Sequence, residues 1–164
     1  MNRIFLMRHG DAEDANTTIT DAERQLTERG RGGARACGLA LLALGHTSVV
    51  VASSALLRAR QSAAIVADVV GASVPIETDT LDPGFDPTHA WSFVESQTYD
   101  SIVLVSHAPS IGLFASALTS DAPHQFQFRK SSVMCLSSTA QRNLGHYQVE
   151  WFRTPEQLSE IANR

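Results

Sequence analysis

The sequence predicts an α/β domain, a three-layer α/β/α sandwich with a mostly parallel central sheet. Short runs of β-branched and aliphatic residues stand at 3–7, 48–53 and 101–106. Each is followed by a stretch in which apolar residues recur every three or four positions. Buried strands that alternate with amphipathic helices pack as a parallel sheet with helices on both faces.

The elements follow in order. "RIFLM" (3–7) is a short buried strand, and a polar loop of about a dozen residues comes after it. Thr27 caps a helix whose apolar face is Ala34, Cys37, Leu41 and Leu44. "SVVVAS" (48–53) is a second buried strand. Leu56, Ala59, Ala63, Val66 and Val70 mark a second amphipathic helix. "VPIET" is a candidate third strand. Residues 80–88, rich in proline, glycine and aspartate, form a loop, and a short helix is expected around 88–96. "SIVLVS" (101–106) is a buried strand, after which Pro109 suits the first turn of a helix through about 119. "SVMCLSS" (132–138) and "HYQVEWF" (146–152) are late strands, and a short helix follows Pro155. The 164 residues suit one domain, 1–164.

Composition narrows the function. A chain that is 43% hydrophobic and 18% charged fills an ordinary core and is not disordered. The net charge is −4 and no basic tail is present, which argues against nucleic acid as the main partner. Affinity for anions must therefore be local. No run reaches the roughly 18 apolar residues of a membrane span, and no signal-peptide pattern precedes the first strand. Cys37 and Cys135 are lone cysteines. They predict reduced thiols in the cytoplasm and neither a disulfide framework nor a zinc site. His46, His89, His124 and His146 show no metal-ligand spacing and are assigned to surface or strand positions; "QFQFRK" (125–130) alternates like an edge strand or turn.

In open α/β sheets, ligands bind beyond the carboxyl ends of the strands. The first strand ends in Arg8-His9-Gly10. The second leads into "SSALLRAR", where Ser54 and Arg58 stand four apart. The strand at 101–106 leads directly to His107. Two arginines and two histidines converging on one edge make a compact cationic pocket, to which helix N-termini add partial positive charge. Such a pocket fits phosphate, which arginine grips in a bidentate fork. Taken singly, each residue has a structural reading. Arg58 or Arg60 alone suits a surface cation, His107 a hydrogen-bonded turn residue, Gly10 a turn and Pro109 a helix start. Three placements sharing one edge favour a common site.

"LMRHGDA", "LTERG", "SSALLRARQSA" and "VLVSHAPSIG" resemble, in order, the signatures of the histidine phosphatase (phosphoglycerate mutase-like) superfamily. The short chain and the "DAERQLTERG" stretch resemble its SixA-type phosphohistidine phosphatases. The resemblance implies a phosphoglycerate mutase-like sandwich and a two-step phosphoryl transfer. In that scheme His9 is the nucleophile, while Arg8, Arg58 and His107 bind the phosphoryl oxygens. A neutral imidazole attacks best, and a cationic pocket lowers its pKa. Its other ring nitrogen is expected to donate to a backbone carbonyl near Gly10. Arginines supply the charge, so no metal or other cofactor is expected. Ser54 adds a hydrogen bond to phosphate or caps its own helix. Arg24 is a lower-ranked substrate contact, and Asp11 either orients a ring or arginine or caps the turn.

One departure bears on the substrate. Superfamily members acting on phosphate esters carry a carboxylic acid that protonates the leaving oxygen. Here that region reads "DTLDPGFDPTHAW". Asp82 and Asp86 are the candidate proton donors, Asp86 the better match to an L-x-P-x-x-D stretch, although a Pro-Gly-Asp loop favours a turn role for both. A phosphoramidate needs less acid help than an alkyl phosphate. The expected partner is a phosphorylated protein such as a phosphotransfer domain in a signalling relay. The alternatives are a phosphatase of small esters or nucleotides, or a phosphate-binding module without turnover.

Overall fold

The computed structural model describes residues 2–120, 122, 126–138 and 141–164. Among them one sheet contains β1 (Arg3–Arg8), β2 (Val49–Ser53), β3 (Ile76–Glu77), β4 (Ser101–Ser106), β5 (Val133–Ser138) and β6 (Tyr147–Arg153). Its order is β3-β2-β4-β1-β5-β6. The first four strands run parallel, β5 is antiparallel to β1, and β6 is antiparallel to β5. The helices are α1 (Glu28–Ala43), α2 (Leu57–Val70), α3 (Pro87–Ser96), α4 (Ser110–Thr119) and α5 (Pro155–Ala162). This is the predicted α/β architecture.

Period-two alternation in the strands sends side chains to both layers. Phe5, Met7, Val51, Val103, Val105 and Cys135 pack under α1, α2 and α5. Ile4, Leu6, Ala52, Ile102, Leu104 and Met134 pack under α3 and α4. Burial on both faces explains why the central strands are nearly continuous apolar runs. It also sets the site. The chain leaves β1 for the α1 face and leaves the neighbouring β4 for the α4 face. The crevice between these two strand ends is the switch point of the sheet.

Several boundaries differ from expectation. "VPIET" contributes only the two-residue edge strand β3; Pro75 has no N–H to donate, and Val74 is 90% exposed. Leu44 is the exposed C-cap of α1 and not part of its buried face. Leu56 is the N-cap of α2, and Pro109 is the cap residue before α4. The loop after β1 runs on to Thr27, with a 3-10 turn at Asp21–Glu23 and a bridge between Ala12 and Leu26. Phe126–Arg129 form no strand, while His124 and Gln125 lie outside the described residues. Among the described residues no helix is long and apolar enough to cross a membrane.

Candidate active site

Strand register brings the predicted residues together. β1 and β4 are in parallel register with Arg8 opposite Ser106. The next residue on each strand is a histidine, and the His9 N–H donates to the Ser106 carbonyl at 3.0 Å. The two rings therefore stand side by side, their centroids 5.0 Å apart. The Ser54 N–H donates to the Val105 carbonyl at 3.1 Å, which carries the end of β2 to the same level. Arg58, in the first turn of α2, reaches back over this edge.

The contacts within the cluster are specific. His9 Nδ1 lies 2.7 Å from the Gly10 carbonyl oxygen, as expected from the sequence. That oxygen can only accept, so Nδ1 carries the proton and Nε2 bears the lone pair. Arg58 Nε donates to His9 Nε2 at 3.2 Å. His107 Nε2 lies 2.8 Å from Ser54 Oγ, and its Nδ1 is buried without a hydrogen-bond partner among the described residues. Ser54 Oγ already accepts from the Leu56 N–H at 3.1 Å. Donation of the Ser54 proton to Nε2 satisfies both groups and leaves the His107 proton on Nδ1. Arg8 Nη1 donates to the Phe128 carbonyl at 2.9 Å, and its Nε is buried without a partner among the described residues. His9, His107, Arg58 and Ser54 are all buried.

Both rings are neutral at ordinary pH. The pKa of His9 is pushed down to about 3, first by burial. The Gly10 bond opposes this, and His107, Arg58 and Arg8 add to it. That of His107 is pushed down to about 4, by burial first, then Arg58; Asp21 opposes and Arg8 adds. Burial, and not the cations expected from the sequence, is the larger cause for both rings.

A family model, Histidine phosphatase superfamily (branch 1), matches residues 4–81. An uncharacterized protein of Picosynechococcus sp. is 30% identical over 153 residues, which is 91% of this chain and 93% of that one. Among solved structures, the protein histidine phosphatase SixA complexed with tungstate superposes with a TM-score of 0.83 at 25% identity, covering 95% of this chain and 99% of that one. The chain belongs to the histidine phosphatase superfamily, in its SixA-type branch. A phosphoserine phosphatase of Entamoeba histolytica shares the fold at 18% identity, with a TM-score of 0.67 over 96% of this chain and 100% of that one.

In this histidine phosphatase the remaining predicted residues are placed as follows. Arg24 donates to the Glu13 carbonyl and pairs with Asp21 Oδ1 at 3.0 Å. Asp11 accepts from Thr27 Oγ1 and from Lys130 Nζ, each at 2.8 Å, so it ties the turn together. Asp82 Oδ1 accepts from the Ala55 N–H at 2.9 Å, next to Ser54. Asp86 is the exposed N-cap of α3, accepting from the Thr88 N–H at 2.7 Å. The Thr88 bonds hold its carboxyl below the usual carboxylate range. Ser54 bonds in the turn before α2 and does not serve as the cap. Among the described residues no group of three or more His, Cys, Asp or Glu is arranged to hold a metal ion.

Three residues escaped the sequence argument. Asp21 accepts from Arg58 Nη1 through its carbonyl at 2.7 Å and from Nη2 through Oδ2 at 3.2 Å. It joins Arg58 to Arg24, and its spacing three residues before Arg24 in "DAER" was the available signal. Ser62 accepts from the Gly10 N–H at 3.0 Å and donates to the Arg58 carbonyl at 2.8 Å, fixing the turn to α2. Gly30 lets α1 approach that turn: a Cβ on Gly30 would lie 2.0 Å from the Asp11 carbonyl oxygen, and one on Gly10 would lie 2.5 Å from the Gly30 carbonyl oxygen.

Proposed function

We propose that this phosphatase hydrolyses phosphohistidine on a protein through a covalent intermediate on His9. The observation that carries the reading is the bond from Nδ1 to the Gly10 carbonyl, which leaves the lone pair of a neutral ring on Nε2. Nε2 attacks phosphorus while the phosphorus–nitrogen bond of the substrate breaks, and the departing imidazole takes up a proton. Water then attacks the phosphorus on His9, which releases inorganic phosphate and restores the neutral ring. Arg8 and Arg58 offset the charge on the phosphoryl oxygens, and the buried Nδ1–H of His107 donates to one of them. The arginines supply the charge, so no step calls for a metal.

Of the two carboxylates, Asp82 is the better candidate for the departing proton, since its backbone partner Ala55 adjoins Ser54 and His107. Asp86 is an ionised cap and a poor acid. With so little acid chemistry around the rings, a phosphoramidate suits this site better than an alkyl phosphate. The resting place of such an enzyme would be a signalling relay in the cytoplasm, where the buried free thiols Cys37 and Cys135 stay reduced. The second reading, hydrolysis of small phosphate esters, is favoured by the shared fold of the phosphoserine phosphatase.

A radiolabelled phosphotransfer domain and a panel of phosphate esters test this. The expected result is label trapped on His9, faster turnover of the domain than of any ester, and loss of both in His9→Ala. Turnover of the esters alone would give the second reading its place. Wild-type turnover by His9→Ala would remove the assigned nucleophile.

A further inference from the structure

Arg8 also lines a cavity of about 490 Å³ beside the histidine cluster. The start of α1, the turn at 129–131 and the start of α5 form its walls. Arg8, Arg29, Arg129 and Lys130 supply four cations, against two carboxylates, Asp11 and Glu156. The chain carries a net charge of −4, so this excess of positive charge is a local arrangement. Lys130 is engaged by Asp11 at 2.8 Å. Arg29 and Arg129 are exposed, and no hydrogen bond or ion pair engages either side chain among the described residues. Their field still reaches the walls. Asp11 is held below the usual carboxylate range by bonds from Lys130 and Thr27 and then by Arg29. Glu156 is held there by its own cap bonds and then by Arg129 and Arg29.

The cavity is continuous in chemistry with the phosphoryl site. The charge of Arg8 acts on both the His9 and His107 rings, while its side chain lines the cavity. A ligand that brings phosphorus to His9 therefore meets the cavity next. Pockets of this size hold a drug-sized ligand or several side chains, far more than one phosphoryl group. The interspersed Asp11 and Glu156 disfavour a dense polyanion. Exposed arginines on long, adaptable stems suit separate carboxylates on a folded partner, and they steer such a partner during encounter.

We propose that this cavity is an accessory site for carboxylate side chains that flank the phosphohistidine on a protein substrate. The inference rests on the protein-phosphohistidine reading above. Its test uses a phosphotransfer domain phosphorylated on a histidine that neighbouring Asp and Glu residues surround. The same domain with those residues changed to amides, N-phosphoimidazole and O-phosphoserine complete the set. The enzyme variant is Arg29→Glu with Arg129→Glu, neither of which contacts the histidine cluster.

The expected result is a KM for the acidic domain raised at least tenfold at low salt, with kcat and N-phosphoimidazole turnover unchanged. The amide domain should be indifferent to the variant. An unchanged KM for the acidic domain overturns the inference, as does an equal loss on N-phosphoimidazole. A KM change confined to O-phosphoserine overturns it in favour of a small-molecule site. Wild-type turnover of N-phosphoimidazole but of no domain sinks the protein-substrate reading, and the inference with it.

Discussion

Arg58 Nε donates to His9 Nε2 across 3.2 Å, so the guanidinium occupies the lone pair with which, in the proposed mechanism, His9 attacks phosphorus. The same side chain is bonded twice to Asp21. The Arg58 guanidinium is thus fully bonded at rest, and in the proposed mechanism an incoming phosphoryl group reopens this set by offering it better acceptors. Charged oxygens make shorter and stronger bonds with arginine than a neutral ring nitrogen does.

Arg58→Ala is expected to lower kcat by about 10²–10³, the usual cost of one lost donor to a developing charge. Arg58→Lys should recover little of this, because an ammonium donates from one atom and lacks the planar fork that spans the ring and two oxygens. Steady-state turnover of a phosphohistidine substrate measures both. A lysine variant at wild-type rate would show that Arg58 acts only as a point charge.

Asp21→Ala should lower kcat about tenfold by releasing Arg58 from its bonded position. Folding stability should hardly change, since the Asp21 side chain is 61% exposed and exposed ion pairs contribute little. Thermal melting and turnover on the same sample separate the two effects. A large fall in melting temperature would make Asp21 a structural residue.

Much of this site was legible in the sequence, and particular residues show why. His9, His107 and Ser54 follow buried strands with clear boundaries, and parallel register brings such residues to one level. Arg58 was legible because it opens a helix directly after a strand. Asp21 was not, because it belongs to a 3-10 turn in a long polar loop whose path depends on tertiary contacts. The weight of burial in depressing the histidine pKa values was also hidden. Burial depends on how the layers close over the strand ends, and periodicity carries no record of that closure. Asp86, matched to a motif as a candidate donor, stands in the structure as the cap of its own helix.

Asp86→Ala is expected to lower stability slightly through the lost cap and to leave kcat unchanged. Asp82→Asn should slow hydrolysis of phosphate esters more than that of phosphohistidine, because an alkoxide depends more on protonation to leave than an imidazole does. Urea denaturation and paired substrate assays check the two variants. Equal slowing of both substrates by Asp82→Asn would assign it to positioning and not to proton donation.

The two depressed histidines set a pH dependence of stability. Unfolded, each ring titrates near 6.5; folded, His9 does so near 3 and His107 near 4. Between those limits the unfolded chain binds more protons, so stability rises with pH there. Their contribution is therefore full above about pH 7 and declines as pH falls from 6.5 toward 4. Urea midpoints at pH 7.5, 6 and 5 should fall in that order, and His9→Gln with His107→Gln should flatten the decline. A decline of the same size in the double variant would assign it to other groups.

The bond between His9 Nδ1 and the Gly10 oxygen has a regiochemical consequence. A phosphorylated imidazole has two constitutional isomers, and here one of them is ruled out by a main-chain atom. No side-chain substitution deletes that oxygen. Any variant that keeps the turn therefore yields the isomer with phosphorus on the ring nitrogen remote from the backbone, and nitrogen-15 spectra of the trapped enzyme should contain that single species.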